Sequence, residues 1–353
     1  MKQVINFLKN IKRRDHIIIV FHNDGDGICS CLLMKKYLEK KGVEPQFIIS
    51  QPMPVLKSLV DKIKTFDTNK IIFLDLAIDQ QEDIVKELQK YTKIMIIDHH
   101  KIVKKLKNVA YYNPRMYRAD VYQSASYCVY KIVSKLTDMK NYLWVAIVGI
   151  ISDFDVKDSL DLLEDGKRQY PDTIKSTKQE EIHKSFFGKL SDIINAAKAS
   201  NRLTAEEIVK ILEDVKDPKD ITYTNKFIKL MNAYQEVEDE LENIKANMRK
   251  KIEINKNIIF CELDTKYNIG SAVSTLISKN YPKKIVIVYQ KRKNVKVNAR
   301  SQNKKMNVAT ILRNAAAVNK KISAGGHEAA AGALIPLEYW EDFKNKLIKI
   351  VNK

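Results

Sequence analysis

The chain contains no apolar run of the roughly 18 residues that a membrane-spanning helix needs. Its first residues, MKQVINFLKNIKRRD, lack the long apolar core and small-residue cleavage site of a signal peptide. Cysteine is scarce: Cys29, Cys31, Cys128 and Cys261 make no C-x-x-C pair. That argues against a structural zinc site and for reduced, packing thiols in a cytoplasmic protein. Glycine occurs ten times and histidine six times in 353 residues. Acid is missing from one whole stretch. From Thr265 to His327 there is no Asp or Glu, against fourteen Lys and Arg. The chain's net charge is +19, so most of the excess sits in that segment. A segregated excess points to a polyanion partner, where an even spread would point to solubility alone.

What is present reads as two α/β lobes. At 45% hydrophobic residues the chain can bury a core, and its length suggests two domains. HIIIVF (16–21), KIIFLD (70–75) and KIMIID (93–98) are short, β-branched apolar runs. Helical patterns lie between them, at Ser30 to Lys41, Val55 to Thr65 and Gln81 to Tyr91. This alternation predicts a mostly parallel, doubly wound sheet over residues 1–157, with helices on both faces. Residues 158–226 read as a polar helical insertion of this first lobe. Phe227, Leu230, Tyr234, Val237, Leu241, Ile244, Met248 and Ile252 recur at helical spacing, which predicts a connector helix over 227–256. A smaller α/β domain over 257–353 follows. Its strands are NIIFCEL, KKIVIVYQ and VKVNARS, and its helices GSAVSTLISKN, NVATILRNAAAV and Leu337 to Val351.

The rare residues cluster where the strands end. In FHNDGDGICS, His22, Asp24 and Asp26 alternate after an apolar strand. On an extended segment that spacing turns one imidazole and two carboxylates to one side. Asp75 ends the second strand and Asp98, His99 and His100 end the third, while Asp153 follows the apolar run Trp144 to Ile151. In open α/β sheets the site lies beyond the carboxyl ends of the strands, so these residues should converge. Five carboxylates and two or three imidazoles suit divalent cations of the manganese type, and exceed the needs of one ion. Two ions about 3.5–4 Å apart, sharing a carboxylate, would activate a water and clamp a phosphate. The donor set thus predicts metal-assisted phosphoester or phosphoanhydride hydrolysis.

HNDGDG, FLDLA, DHH and SDFD, in that order, resemble the four motifs of the DHH phosphoesterase superfamily. That superfamily includes RecJ exonucleases, nanoRNases, cyclic-dinucleotide phosphodiesterases and manganese pyrophosphatases. The tail GGHEAAAGA is similar to the signature of the DHH-associated C-terminal domain of the RecJ and nanoRNase branch. The resemblance covers residues 15–155 and 257–350. It implies that His22 and Asp24 bind one ion and Asp26 the other. It implies further that Asp75 bridges and that His99 and Asp153 complete the ligands. His100 would neutralise charge at the scissile phosphate, and Asp98 would orient the histidines. In the C-terminal domain Arg300, Ser301, Gly325, Gly326 and His327 would hold substrate phosphate. The implied cofactor is Mn2+, as two ions, with Mg2+ as the alternative.

The resemblance is strongest to archaeal RecJ-like proteins and implies an exonuclease on single-stranded DNA or RNA. The acid-free segment agrees with that, because a bound strand would meet Lys291, Arg292, Lys293, Lys296, Arg300, Lys304 and Lys305. One alternative is a nanoRNase or cyclic-dinucleotide phosphodiesterase acting on very short substrates. Another is a nuclease-like replication or repair protein that docks a protein partner through 158–226.

Overall fold

The computed structural model describes residues 1–352 apart from Lys216, Thr224 and His327, and of Asp220, Thr222 and Tyr223 the backbone alone. The chain forms two compact units. The first comprises Met1–Lys198 and Arg202–Tyr234, and the second Ala199–Asn201 and Gln235–Lys353.

In the first unit five strands form one sheet: β1 (Ile17–His22), β2 (Phe47–Gln51), β3 (Lys70–Leu74), β4 (Lys93–Ile97) and β5 (Ala110–Tyr112). Their order is β2-β1-β3-β4-β5 and every pairing is parallel. Ile18 faces Ile71 and Ile71 faces Ile94 across neighbouring strands. Such β-branched runs suit strands buried on both faces. The helices are α1 (Lys2–Lys9), α2 (Gly25–Lys40), α3 (Ser58–Lys64), α4 (Glu82–Leu88), α5 (Ala125–Val133), α6 (Leu143–Ser152), α7 (Leu160–Gln169), α8 (Gln179–His183), α9 (Phe186–Ala199) and α10 (Ala205–Glu213). Helix α11 (Asn225–Lys251) begins in the first unit and belongs to the second from Gln235 on. Ile18, Val20, Ile71, Phe73, Ile94 and Ile96 pack on one sheet face with Leu59 of α3 and Leu88 of α4. Helices α2, α5 and α6 pack against one another.

Several expectations are refined. Residues 25–40 are helical, so Asp26 lies in the first turn of α2 and not on an extended segment. Asp24 caps that helix, accepting from the Gly27 N–H at 3.0 Å. The run Trp144 to Ile151 is a helix, buried all round, and therefore without the polar face that marks helical periodicity. The helices of the insertion, α7, α8 and α10 among them, fall in the first unit. Glu206 of α10 accepts from the Ser50 N–H at 2.6 Å, and Lys35 of α2 pairs with Glu213 at 2.5 Å. Helix α11 ends at Lys251, and residues 252–255 form a strand where the apolar spacing extends the helix to 256.

The second unit holds a six-stranded mixed sheet: β6 (Ile252–Asn255), β7 (Ile258–Glu262), β8 (Ile285–Lys291), β9 (Asn294–Ser301), β10 (Ser323–Gly326) and β11 (Ala330–Pro336), in the order β10-β11-β9-β8-β7-β6. Only β7 and β8 pair in parallel. Its helices are α12 (Gly270–Asn280), α13 (Val308–Ala316) and α14 (Trp340–Val351). Phe260, Ile287, Leu312, Trp340 and Phe343 make its core. Residues 199–201 join this unit through hydrogen bonds to the 266–268 loop, Asn268 N to the Ala199 carbonyl and Asn201 Nδ2 to the Lys266 carbonyl. Among the described residues no helix is long and apolar enough to cross a membrane.

Gly149 lets α6 approach α2 and α5. A Cβ there would stand 2.2 Å from Ser126 Oγ and 3.0 Å from Cys29 Cβ. Gly149→Ala should therefore destabilise the first unit by about 1–3 kcal/mol, read as a lower thermal midpoint. An unchanged midpoint would show that this contact is not tight.

Candidate metal centre

The strand order places a topological switch between β1 and β3, where a doubly wound sheet opens a crevice at its carboxyl edge. The ends of β1, β3 and β4 deliver His22, Asp75 and the Asp98–His100 run to that edge. Asp75 leaves β3 with a left-handed backbone, φ 59°, which aspartate tolerates better than most residues. Its carboxylate is shared. Oδ2 lies 3.5 Å from His22 Nδ1, while Oδ1 lies 3.2 Å from His99 Nε2 and 3.9 Å from His100 Nδ1. His22 Nδ1 is also 2.7 Å from Asp24, and His99 Nδ1 is 3.4 Å from Asp153 at the end of α6. Three groups of donors with mutually close ligand atoms result: His22–Asp24–Asp75, Asp26–His99–Asp153 and Asp75–His99–His100. All six sequence-predicted metal ligands are thus brought together, with His100 beside them.

The electrostatics are those of a crowded anionic site. Burial raises the Asp26 carboxyl well above the usual range, and Asp75 and Asp153 push it further. Burial also pushes Asp153 up to about 6; His99 opposes this, and Asp75 and Asp24 add to it. For His22 and His99, burial would lower the imidazoles, but the surrounding carboxylates raise both well above their ordinary value. Protons here do a cation's work. Asp75 Oδ1, His99 Nδ1 and Asp153 Oδ2 are buried and make no hydrogen bond of adequate geometry. Buried polar atoms left so are uncommon, and metal coordination would satisfy all three. Mixed carboxylate and imidazole donors fit divalent cations of the manganese or magnesium class.

The neighbours hold the donors in place. Asp26 is 1% exposed, and its two oxygens accept from the Ala125 and Ser126 N–H groups at the start of α5. Gly27 permits this packing, since a Cβ there would lie 2.0 Å from the His22 carbonyl oxygen. Asp98 is fully buried and meets His100 Nδ1 at 2.7 Å. Burial would raise its pKa, but His100 and His99 bring it below the ordinary value. Sequence reading missed Asn113, which is fully buried and donates to Asp98 and to the His100 carbonyl. It also missed Arg115, which donates to the His99 carbonyl at 2.8 Å, and Tyr122, whose ring meets His99 edge-on at 5.3 Å. The only signal for Asn113 and Arg115 was the segment YYNPR (111–115), which begins in a strand too short to recognise, and Tyr122 had none. From α9, Asn195 exchanges hydrogen bonds with Ser152 beside Gly25. Lys198 lies one turn further on; burial lowers its pKa, opposed by the Asp24 charge.

The predicted phosphate-holding residues lie in the second unit. Arg300 of β9 is half-buried and donates to Thr275 Oγ1 at 2.5 Å. Burial lowers its pKa, and among the described residues no carboxylate lies within ion-pair distance. Ser301 is buried and its hydroxyl is spent on the Lys284 carbonyl and the Asn303 N–H. Gly325 and Gly326 are exposed at the end of β10, with open space where a Gly325 side chain would stand. His327 lies outside the described residues.

Residues 16–150 match the sequence model of the DHH family, N-terminal domain, and residues 237–353 match that of the DHHA1 domain. The chain belongs to the DHH family, a family of phosphoesterases, and carries the DHHA1 domain after its DHH domain. Its fold is that of RecJ. It is similar to a crystal structure of exonuclease RecJ bound to manganese, at 16% identity and a TM-score of 0.74, over 100% of this chain and 94% of that one. It is similar to RecJ from Thermus thermophilus in complex with Mn2+, at 16% identity and a TM-score of 0.78, over 99% of this chain and 54% of that one. It is also similar to CDC45 from Entamoeba histolytica, at 13% identity and a TM-score of 0.62, over 100% and 98% of the two chains. No curated protein sequence matches the chain significantly.

A cation that binds only the folded cluster must stabilise it by mass action. Mn2+ should raise the thermal midpoint of the first unit, and a chelator should reverse the rise. Asp75→Asn should cancel the rise. A full manganese shift in that variant would remove Asp75 from the ligands.

Proposed function

We propose that the chain is a metal-dependent phosphodiesterase, working as an exonuclease on single-stranded DNA or RNA. The observation that carries this is the sharing of Asp75 between two groups of ligand atoms at one sheet edge. His22, Asp24, Asp26, Asp75, His99 and Asp153 would hold two divalent ions, manganese for preference. Ions so held supply a water of lowered pKa and positive charge for the phosphate oxygens.

The chain's own residues do the rest. Asp98 accepts from His100 Nδ1 at 2.7 Å, which sets the orientation of the ring. The same carboxylate keeps His100 raised above its ordinary pKa against the effect of burial. A charged His100 Nε2–H would donate to a phosphate oxygen as negative charge develops. Asn113 and Arg115 fix the backbone that carries both histidines. Arg300 offers a half-buried charge in the second unit, which a phosphate would pair. Lys293, Lys304 and Lys305 are exposed in the acid-free segment and suit a phosphate backbone, with salt-sensitive binding and little base specificity.

The test is a manganese-dependent time course on end-labelled 20-mer single-stranded DNA and RNA, beside a labelled dinucleotide. A ladder from the 20-mer is expected, and label position gives the polarity. Turnover of the dinucleotide alone would move the protein to the class acting on very short substrates. Asp153→Ala should abolish hydrolysis with the fold intact; normal turnover would sink the two-ion assignment. Arg300→Ala should raise KM about tenfold, the worth of one charged hydrogen bond of about 1.5 kcal/mol. Unchanged kinetics would remove Arg300 from the substrate site.

A further inference from the structure

Phe154 follows the candidate ligand Asp153 directly, and its backbone is left-handed, with φ 56°. Bulky side chains rarely adopt that region, because Cβ crowds the following carbonyl, whereas glycine pays nothing there. The conformation is imposed from both sides. The Phe154 N–H bonds the Ile151 carbonyl at 3.1 Å and the Asp155 N–H bonds the Ile150 carbonyl at 3.0 Å, closing the end of α6. The buried Asp155 carboxylate then accepts from the Ser124 N–H at 2.6 Å. A helix end of this kind usually places glycine or asparagine at the left-handed position. Here it carries a phenylalanine that is 61% exposed. The ring lies on the His183 imidazole of α8, centroids 4.8 Å apart and planes 31° apart. One face is supported and the residue still leaves most of its surface to solvent. Strain and exposure kept together, one residue from a metal-ligand cluster, are what a binding platform looks like and what a packing residue does not.

We propose that Phe154, backed by His183, is a stacking platform for the nucleobase of the nucleotide whose phosphate occupies the metal centre. This rests on the reading of that centre as a phosphodiester site and deepens it, because the substrate class becomes base-bearing phosphodiesters and not pyrophosphate or polyphosphate. Aromatic stacking is tolerant of base identity, since every base has a π-face. The platform therefore adds affinity for nucleotides without sequence preference. Phe154 adjoins the candidate ligand Asp153 in the chain, so the platform would serve the nucleotide whose phosphate the cluster binds.

The test compares the binding of 2-aminopurine nucleoside 5′-monophosphate with that of ribose 5-phosphate, the same phosphate without a base, to manganese-loaded full-length protein. The wild type should bind the nucleotide about tenfold more tightly, within the range a single aromatic–base stack supplies, and should quench its fluorescence. Phe154→Ala should bring the two affinities together, while Phe154→Tyr should keep them apart. Phe154→Gly suits the left-handed backbone, serves as the second variant if alanine impairs folding, and should behave as Phe154→Ala does. The manganese-induced rise in thermal midpoint should be the same in all four proteins, which separates loss of stacking from damage to the metal centre. An undiminished preference in Phe154→Ala or Phe154→Gly, or no preference in the wild type, would overturn the platform. Base-dependent binding without hydrolysis of any oligonucleotide would instead leave the platform standing and overturn the exonuclease reading.

Discussion

Four carboxylates and three imidazoles meet at one edge of a parallel sheet, and the mutual repulsion of the carboxylates is the constraint the first unit is built around. Asp26, Asp75 and Asp153 are buried or nearly so, and none of the four carboxylates has a lysine or arginine within ion-pair distance among the described residues. Taking such charges out of water costs several kcal/mol per ion unless something compensates. The chain compensates locally where it can. Two N–H groups at the start of α5 hold Asp26, and Asn113 with His100 holds Asp98. What remains at the centre, on Asp75, His99 and Asp153, is left to protons or to cations. The deficit is confined to the atoms that face one another, and that confinement distinguishes a metal centre from an acidic surface.

Rigid elements give the deficit its geometry. Three donors come from strand ends, one from a helix cap, one from a first helical turn and one from a helix end. Strand ends in register across β1, β3 and β4 fix the spacing of His22, Asp75 and His99 to within a peptide unit. Helices α2 and α6 then supply Asp24, Asp26 and Asp153. Gly27 lets α2 begin against the His22 carbonyl, and Gly149 lets α6 descend far enough for Asp153 to reach His99. The helical insertion reaches the neighbourhood of the centre through Asn195, which bonds Ser152, and through Lys198, which feels the Asp24 charge.

Much of this was legible in the sequence, for a physical reason. Buried parallel strands must be continuous apolar runs, and a polar residue that ends such a run has to be accounted for. Asp75, Asp98, His99 and His100 stand out on that ground alone. Segments whose burial follows no period were harder. Helix α6 is apolar on every side, so Trp144 to Ile151 carries no 3.6-residue signature, and β5 has three residues. The placement of Asp26 was misjudged because Asp24-Gly25-Asp26-Gly27 alternates like a strand, while Asp24 in fact caps a helix whose first turn contains Asp26. Asn113, Arg115, Tyr122 and Lys198 act through tertiary contacts that no local pattern encodes. Ser301, adjacent to Arg300 in the same short motif, illustrates the converse: a strand turns successive side chains to opposite faces, and this hydroxyl is spent inside.

The two left-handed residues of the centre, Asp75 and Phe154, show how far a backbone outlier can be read. Both close a secondary-structure element, and both have φ near 60°. For Asp75 the conformation is cheap, since a short polar side chain tolerates it, and it is explained by the carboxylate it aims at His22 and His99. For Phe154 it costs about 1–2 kcal/mol, and no burial repays it, because the side chain stands largely in solvent. Glycine would close α6 equally well. A ring retained at that cost, on an imidazole support and next to a metal ligand, gains its free energy only when something planar covers it, and a nucleobase attached to the bound phosphate is the planar group that the chemistry of the neighbouring cluster supplies.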